Sequence, residues 1–318
     1  MKNVIITGAT GSIGHNIAQH LTARGDEVIV FTRNPEKAGR KLPAVKNFVK
    51  WDYGNIDDPS SLHYAGTSWM HELNGVDAVV HLAGANLGAK RWNEDYKKLA
   101  YDSRIVSTRN LVEAIKSVEK KPKVFICSSA TGFYGNRYDE VLDENSSPGN
   151  DFLATLCNDW EKEARTVEQY GVRRVSIRTG LVLMKDEGVL KQMLLPFKLF
   201  IGGHLGNGRQ YFPWIHIDDI VGIYLQAIDN PNVTGAINGT APGIVTMRQF
   251  AKALGKNLSR PSLFPVPKFA LKIAVGELGD YAVMSQRTSV DKILKAGYKF
   301  KFENLEGALR DLLVQDVR

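Results

Sequence analysis

The sequence predicts an α/β protein: a Rossmann-type, doubly wound parallel sheet with a smaller C-terminal substrate-side subdomain. Two patterns carry that expectation. Short apolar runs alternate with stretches of helical periodicity through the first half of the chain, and a glycine-spaced turn follows the first run at residue 8. The second half is irregular, with a glycine-rich stretch over 202–208 and three prolines over 261–267, which marks a change of architecture.

Taken in order, Val4, Ile5 and Ile6 read as a buried strand. Ile13, Ile17, Ala18 and Leu21 then share one face of a helix that stops at Gly25. The run over 28–31 is apolar on both sides, as a strand covered on two faces requires. A further strand is expected over 78–82, a helix over about 93–118, a strand over 123–127, a helix over 152–170 and a strand over 174–177. In the second half, 218–228, 247–254, 268–275 and 305–313 read as helices.

The turn itself is the most informative stretch. In Thr7-Gly8-Ala9-Thr10-Gly11-Ser12-Ile13-Gly14, Gly8 permits the tight exit from the strand. Gly11 lets backbone approach a pyrophosphate, and Gly14 lets the helix close on the sheet. Thr10, Ser12 and Ile13 then sit where the helix N-terminus, with its free N–H groups, favours an anion. At the end of the second strand a dinucleotide enzyme preferring NAD carries Asp or Glu on the ribose hydroxyls. This chain has Thr32 and Arg33, followed by Lys37, Arg40 and Lys41, a set suited to a 2′-phosphate, so NADP(H) is the expected cofactor. The expected division is an NADP-binding domain over 1–180, to which 209–240 returns, and a substrate-side subdomain over 181–208 and 241–318.

With these elements in place the chain resembles an extended short-chain dehydrogenase/reductase. The glycine spacing, His81-Leu82-Ala83-Gly84, the run Ser128-Ser129-Ala130-Thr131-Gly132-Phe133-Tyr134-Gly135 and Ile215-His216-Ile217-Asp218-Asp219 carry the likeness. A narrower one rests on Arg91-Trp92-Asn93 with Asp102-Ser103-Arg104, Asp159-Trp160-Glu161, Leu194-Leu195-Pro196-Phe197, Phe212-Pro213-Trp214-Ile215-His216 and Gly297-Tyr298-Lys299-Phe300. These are similar to the atypical epimerase family SDR39U1-like group. The resemblance implies that Leu82, Ala83, Gly84 and Arg104, with Thr32 and Arg33, touch the dinucleotide.

It also implies a catalytic Tyr-x-x-x-Lys pair, from which this chain departs. Phe152 or Leu153 stands where the Tyr belongs, Leu156 or Cys157 where the Lys belongs, and Ala130 at the Ser/Thr position. None of Phe, Leu and Ala can transfer a proton. Ser129, Thr131 and Tyr134 are the candidate catalysts, with Cys157, Glu161 and His216 as further groups, and Phe212, Trp214 and His216 are expected to wall a substrate pocket. The expected function is therefore an NADP(H)-binding oxidoreductase or nucleoside-sugar-epimerase-like enzyme of unknown substrate. The alternative is a non-catalytic NADP(H)-binding redox sensor or regulatory protein.

Other classes fit less well. The net charge of +7 comes from Lys and Arg spread along the chain without a basic run, which argues against a nucleic-acid binder. Seven histidines and two cysteines show no metal-ligand spacing, and no Gly-x-Ser-x-Gly elbow occurs. Two cysteines, no leader-like N-terminus and no apolar run of spanning length make a cytoplasmic protein without membrane or nucleic-acid partners the expectation. The expected partner is a small-molecule substrate, and the resemblance admits a homodimer.

Overall fold

The computed structural model describes residues 1–51 and 69–314. The first elements are β1 (Asn3–Thr7), α1 (Ser12–Ala23), β2 (Glu27–Thr32), α2 (Pro35–Lys41), β3 (Asn47–Lys50), β4 (Ala78–His81) and α3 (Glu94–Ser117). There follow β5 (Val124–Ala130), a short 3₁₀ turn over Thr131–Tyr134, β6 (Val141–Leu142), α4 (Phe152–Arg165) and β7 (Arg173–Thr179). Among the described residues, seven strands form one sheet in the order β11-β7-β5-β4-β1-β2-β3, every neighbouring pair parallel. Its last member, β11 (Gly235–Gly239), arrives from much further along the chain.

Alternate residues of each strand explain the two helical layers. Val4 and Ile6, Val28 and Val30, Val124 and Ile126 share one buried cluster with Ile17 and Leu21 of α1 and Ile220 and Tyr224 of α6 (Ile217–Asp229). Ile5, Ile29 and Phe125 point the other way, into a cluster with Leu111 and Ile115 of α3 and Trp160 of α4. A strand with core on both faces has no polar side, which is why these runs are continuously apolar.

The helices begin where side chains can hold free N–H groups. Asn93 accepts from Tyr96 N at 2.8 Å ahead of α3, and Asp151 from Ala154 N at 3.1 Å ahead of α4. Helix α3 was anticipated within a residue at either end. The helix expected over 152–170 ends at Arg165, and its last turn tightens into a 3₁₀ segment over Thr166–Tyr170.

The smaller lobe uses β8 (Leu181–Leu183), α5 (Gly188–Lys198), β9 (Tyr211–Phe212), β10 (Trp214–His216), β12 (Val245–Thr246) and α7 (Met247–Leu258). It is completed by α8 (Lys268–Val275), α9 (Leu278–Tyr281) and α11 (Leu305–Val314), whereas β13 (Arg287–Thr288) pairs with β6 and α10 (Asp291–Lys295) packs through Ile293 into the core of the large sheet. Its own core packs Leu190, Phe197, Phe212, Trp214, Phe250 and Leu309 together. The strands over 211–216 pair with β8 and β12, not with the main sheet. Ile215 of β10 nevertheless packs into the core that the main sheet shares with α1 and α6.

Candidate functional site

The C-terminal edge of the parallel sheet, where β1, β2 and β4 end side by side, opens into a cleft of about 820 Å³. Gly8 leaves β1 with φ +72°, and a Cβ there would lie 2.8 Å from the backbone carbon of Leu82. A Cβ on Gly14 would lie 2.6 Å from the Gly8 carbonyl oxygen, so α1 meets the turn without a side chain between them. Gly11 caps α1 in an extended conformation with no side-chain cap, which leaves the first N–H groups of the helix facing outward for an anion.

The loop after β4 is fixed from below by a buried polar relay. Thr7 Oγ1 accepts the N–H groups of Leu82 and Ala83, each at 3.2 Å, and its own proton goes to His81 Nδ1 at 2.7 Å. Thr108 Oγ1 donates to Arg104 O and accepts from Trp160 Nε1, so the partner it can still take is a donor, the N–H of His81 Nε2 at 3.0 Å. The imidazole is therefore neutral with its proton on Nε2. Burial pushes its pKa down to about 3, which keeps it neutral at physiological pH.

Cations gather on the far side of the cleft. Arg33 follows β2, and Lys37 and Lys41 stand four residues apart on α2, whose first turn is capped by the Asn34 side chain accepting from Lys37 N at 2.9 Å. No Asp or Glu lines the cleft among the described residues. Phe31, Trp51, Leu82 and Ala83 supply apolar wall.

Of the dinucleotide residues expected from sequence, Gly8, Thr10, Gly11, Thr32 and Arg33 line this cleft, as do Leu82, Ala83 and Gly84. Ser12 lines an adjoining hollow and its hydroxyl donates to Glu187. Ile13 packs against the core, and Gly14 is buried at the turn. Arg104 lies behind the wall: it donates to Ala100 O at 2.9 Å and Ala85 O at 3.1 Å and lies over the Trp160 ring. It holds the 84–85 segment of the wall from behind and is not itself among the lining residues. Sequence reasoning missed Trp51, which carries no motif, and Ser103, which lies in the Asp102-Ser103-Arg104 string, as wall residues; Ser103 Oγ accepts from Ala85 N at 3.0 Å.

The expected catalytic residues separate. Ser129, Arg178 and Asn238 sit on one rung of β5, β7 and β11, an alignment only the pairing register reveals. Glu161 of α4 lies over them, 3 % exposed, and takes Nε of Arg178 at 2.8 Å, Nη2 at 2.9 Å and the Ser129 hydroxyl at 2.8 Å. Arg178 also donates to the Tyr134 hydroxyl at 3.0 Å, with its guanidinium carbon 3.5 Å from the Phe133 ring centroid. Tyr134 donates in turn to Asn238 Oδ1 at 2.6 Å, and burial pushes its pKa up to about 12. Ser129 and Tyr134 are thus held inside a buried ion-pair network and are not among the residues that line the cleft. Thr131 begins the 3₁₀ turn just past β5, and its hydroxyl has no hydrogen-bond partner among the described residues.

At the usual Tyr and Lys positions the chain is apolar in fact as well as in sequence. Phe152 packs on Trp92, which packs on Tyr281, with ring centroids 5.4 and 5.2 Å apart. The Leu153 side chain lies against Gly132. Cys157 is buried, with its pKa pushed up to about 11, and so is a neutral thiol. The residues expected to wall a substrate pocket are core residues instead. Phe212 packs on Phe250, Trp214 donates from Nε1 to Gly243 O at 2.9 Å, and His216 caps α6 by accepting from Asp218 N at 3.0 Å. Their aromatic character reflects the core of the smaller lobe, which shares the sequence signature of a binding wall.

A glycine turn at a helix N-terminus, a parallel sheet ending above it and cations at the end of the second strand define a dinucleotide-binding protein of the extended short-chain dehydrogenase type. The model of the NAD dependent epimerase/dehydratase family matches residues 4–238, and that of a domain of unknown function, DUF1731, matches 266–312. The chain belongs to the NAD dependent epimerase/dehydratase family. It is 38% identical over 312 residues to the chloroplastic epimerase family protein SDR39U1 homolog of Arabidopsis thaliana, covering 98% of this chain and 86% of that protein. It is 34% identical to epimerase family protein YfhF of Bacillus subtilis, covering 98% of each. The crystal structure of human epimerase family protein SDR39U1 with NADPH superposes with a TM-score of 0.83 at 32% identity, covering 98% of this chain and 99% of that one. UDP-glucuronic acid 4-epimerase of Bacillus cereus, at 17% identity and a TM-score of 0.75, shares the fold.

Proposed function

We propose that this protein binds NADP(H) in the cleft and uses it as an oxidoreductase on a small carbonyl or alcohol substrate, without the Tyr-x-x-x-Lys pair. One observation carries the reading: Arg33, Lys37 and Lys41 line the cleft beyond β2, and no carboxylate lines it among the described residues. An acid there would repel a 2′-phosphate, whereas a guanidinium can hold one through paired hydrogen bonds. The human relative solved with NADPH supports it. The glycine turn would hold the pyrophosphate, and the 82–84 wall would flank the adenosine half. Bound there, the cofactor supplies a transferable hydride. Of the three candidate hydroxyls, that of Thr131 alone has no protein partner among the described residues; it is buried just past the end of β5, outside the lining of the cleft, and is the group we assign to a substrate oxygen.

The second reading, a protein that binds NADP(H) and senses redox state without turnover, is favoured by the residues at the acid–base positions, Phe152 or Leu153 and Leu156 or Cys157, and by the commitment of Ser129 and Tyr134 to Glu161 and Arg178. The test is titration with NADPH and NADH, followed by NADPH oxidation across aldehydes, ketones and quinones, in the wild type and in Thr131→Val. Selective NADPH binding with turnover that Thr131→Val removes supports the oxidoreductase. Selective binding with no turnover on any class supports the sensor, and equal affinity for the two cofactors overturns the cofactor assignment.

A further inference from the structure

The cations of this chain are dispersed, but its acids are not. Residues 188–217 and 230–276 contain nine Lys and Arg and no Asp or Glu, so the rest of the chain, with 32 cations and 34 acids, is slightly acidic. The whole net positive charge resides in these two segments, which supply most of the smaller lobe. A count of basic runs misses this, because the asymmetry lies in the missing acids.

The same segments carry a concentration of exposed apolar side chains. Nine of the fifteen exposed large hydrophobic residues among those described fall within 195–201 and 263–275, so they are not scattered singly over the surface. Leu195, Leu199, Phe200 and Ile201 project at the C-terminal end of α5. Leu263 and Phe264 lie beside them, their N–H groups donating to Gly202 O at 3.0 and 3.1 Å. Phe200 holds this edge with φ +64°, a conformation costly for a bulky side chain. Arg260 lies 4.3 Å from its ring centroid. Helix α8 follows at once and buries none of its residues. Phe269 and Ile273, 69% and 70% exposed, are four residues apart on one side. Lys268 and Lys272, four apart beside them, both pair with Asp280 of α9, at 3.0 and 3.7 Å, so the cations without an acid partner at this edge, among the described residues, are Lys198 and Arg260.

We infer that this apolar edge with its basic surround is a docking surface for an anionic lipid bilayer, on which the protein lies peripherally with the side chains of α8 and the 199–201 and 263–264 edges entering the headgroup layer. Charge complementarity selects this occupant. Apolar side chains flanked by Lys198 and Arg260, in segments without acids, match the acyl boundary beneath anionic headgroups. A second copy would bring Lys198 and Arg260 against an edge of the same sign. A nucleic acid would leave Leu263, Ile201 and Ile273 facing phosphates. The inference departs from the absence of a membrane partner expected from sequence, and it requires no spanning segment: no helix among the described residues is long and apolar enough to cross a membrane.

The experiment is flotation of the full-length protein with vesicles of phosphatidylcholine alone and of phosphatidylcholine mixed with phosphatidylglycerol, at low and high salt. The wild type is expected to float with the mixed vesicles only and to be released by salt. Phe269→Glu with Ile273→Glu, and separately Lys198→Glu with Arg260→Glu, should each lower binding about tenfold or more, with circular dichroism and NADPH affinity unchanged. No flotation, equal flotation with both vesicles, or undiminished binding of either variant overturns the proposal. So does a wild-type dimer in light scattering that the Phe269/Ile273 variant converts to a monomer, since a second copy then covers the surface.

Discussion

Thr7 and His81, on the adjacent strands β1 and β4, share a 2.7 Å hydrogen bond that connects the end of the glycine-turn strand to the cleft wall. The hydroxyl that donates to the imidazole also accepts the N–H groups of Leu82 and Ala83, so one side chain sets both the histidine tautomer and the height of the wall. Thr7→Val keeps the shape and removes all three contacts. It should cost about 1–3 kcal/mol in urea unfolding, because buried groups are left unpaired, and should weaken NADPH binding as the wall loosens. An unchanged midpoint and affinity would show that the relay is idle.

The buried imidazole predicts a pH dependence. In the unfolded chain it takes a proton near pH 6.5, whereas in the folded protein it resists until about 3. The folded pKa is depressed, so this contribution is fully present above pH 6.5 and is lost as pH falls from there toward 3, at about 1.4 kcal/mol per unit. Denaturant unfolding between pH 7.5 and 5, in the wild type and in His81→Asn, isolates it. The variant, though less stable throughout, should lose less over that interval.

Arg33→Asp should weaken NADPH by at least about tenfold, equivalent to losing one charge-assisted contact, while NADH changes little or tightens. Lys37→Glu should act in the same direction by less, because an ammonium lacks the paired donor geometry. Fluorescence titration of both cofactors reads the ratio, and equal losses for both would remove the 2′-phosphate from this end of the cleft.

Arg178→Met leaves the Glu161 carboxylate buried beside Ser129 without its partner. The expected loss is about 3–5 kcal/mol. Removing both charges in Glu161→Leu with Arg178→Met should recover much of it, since the desolvation cost then disappears. The measurement is a set of urea unfolding midpoints for the two single variants and the double variant. A double variant no more stable than Arg178→Met would show that packing against Phe133 and Tyr134, not charge pairing, holds this network.

By itself the sequence determined the sheet, the turn and the cofactor end of the cleft. These features are local: two-residue and 3.6-residue periodicities place strands and helices, Gly8, Gly11 and Gly14 are spaced within one turn, and Arg33 lies directly beyond β2. It also showed that the usual acid–base pair is missing, because absence at fixed positions of one helix is readable in one dimension. Only the tertiary structure decided which polar and aromatic residues face the cleft. Ser129, Arg178 and Asn238 are far apart in the chain and meet through strand register, with Glu161 brought over them by helix packing. Phe212, Trp214 and His216 read like a pocket wall yet lie in a core, because burial depends on what packs from α7 and α11, which no local pattern encodes. Side-chain chemistry follows from sequence, but the side on which a group finds water or a partner follows from the three-dimensional contacts around it.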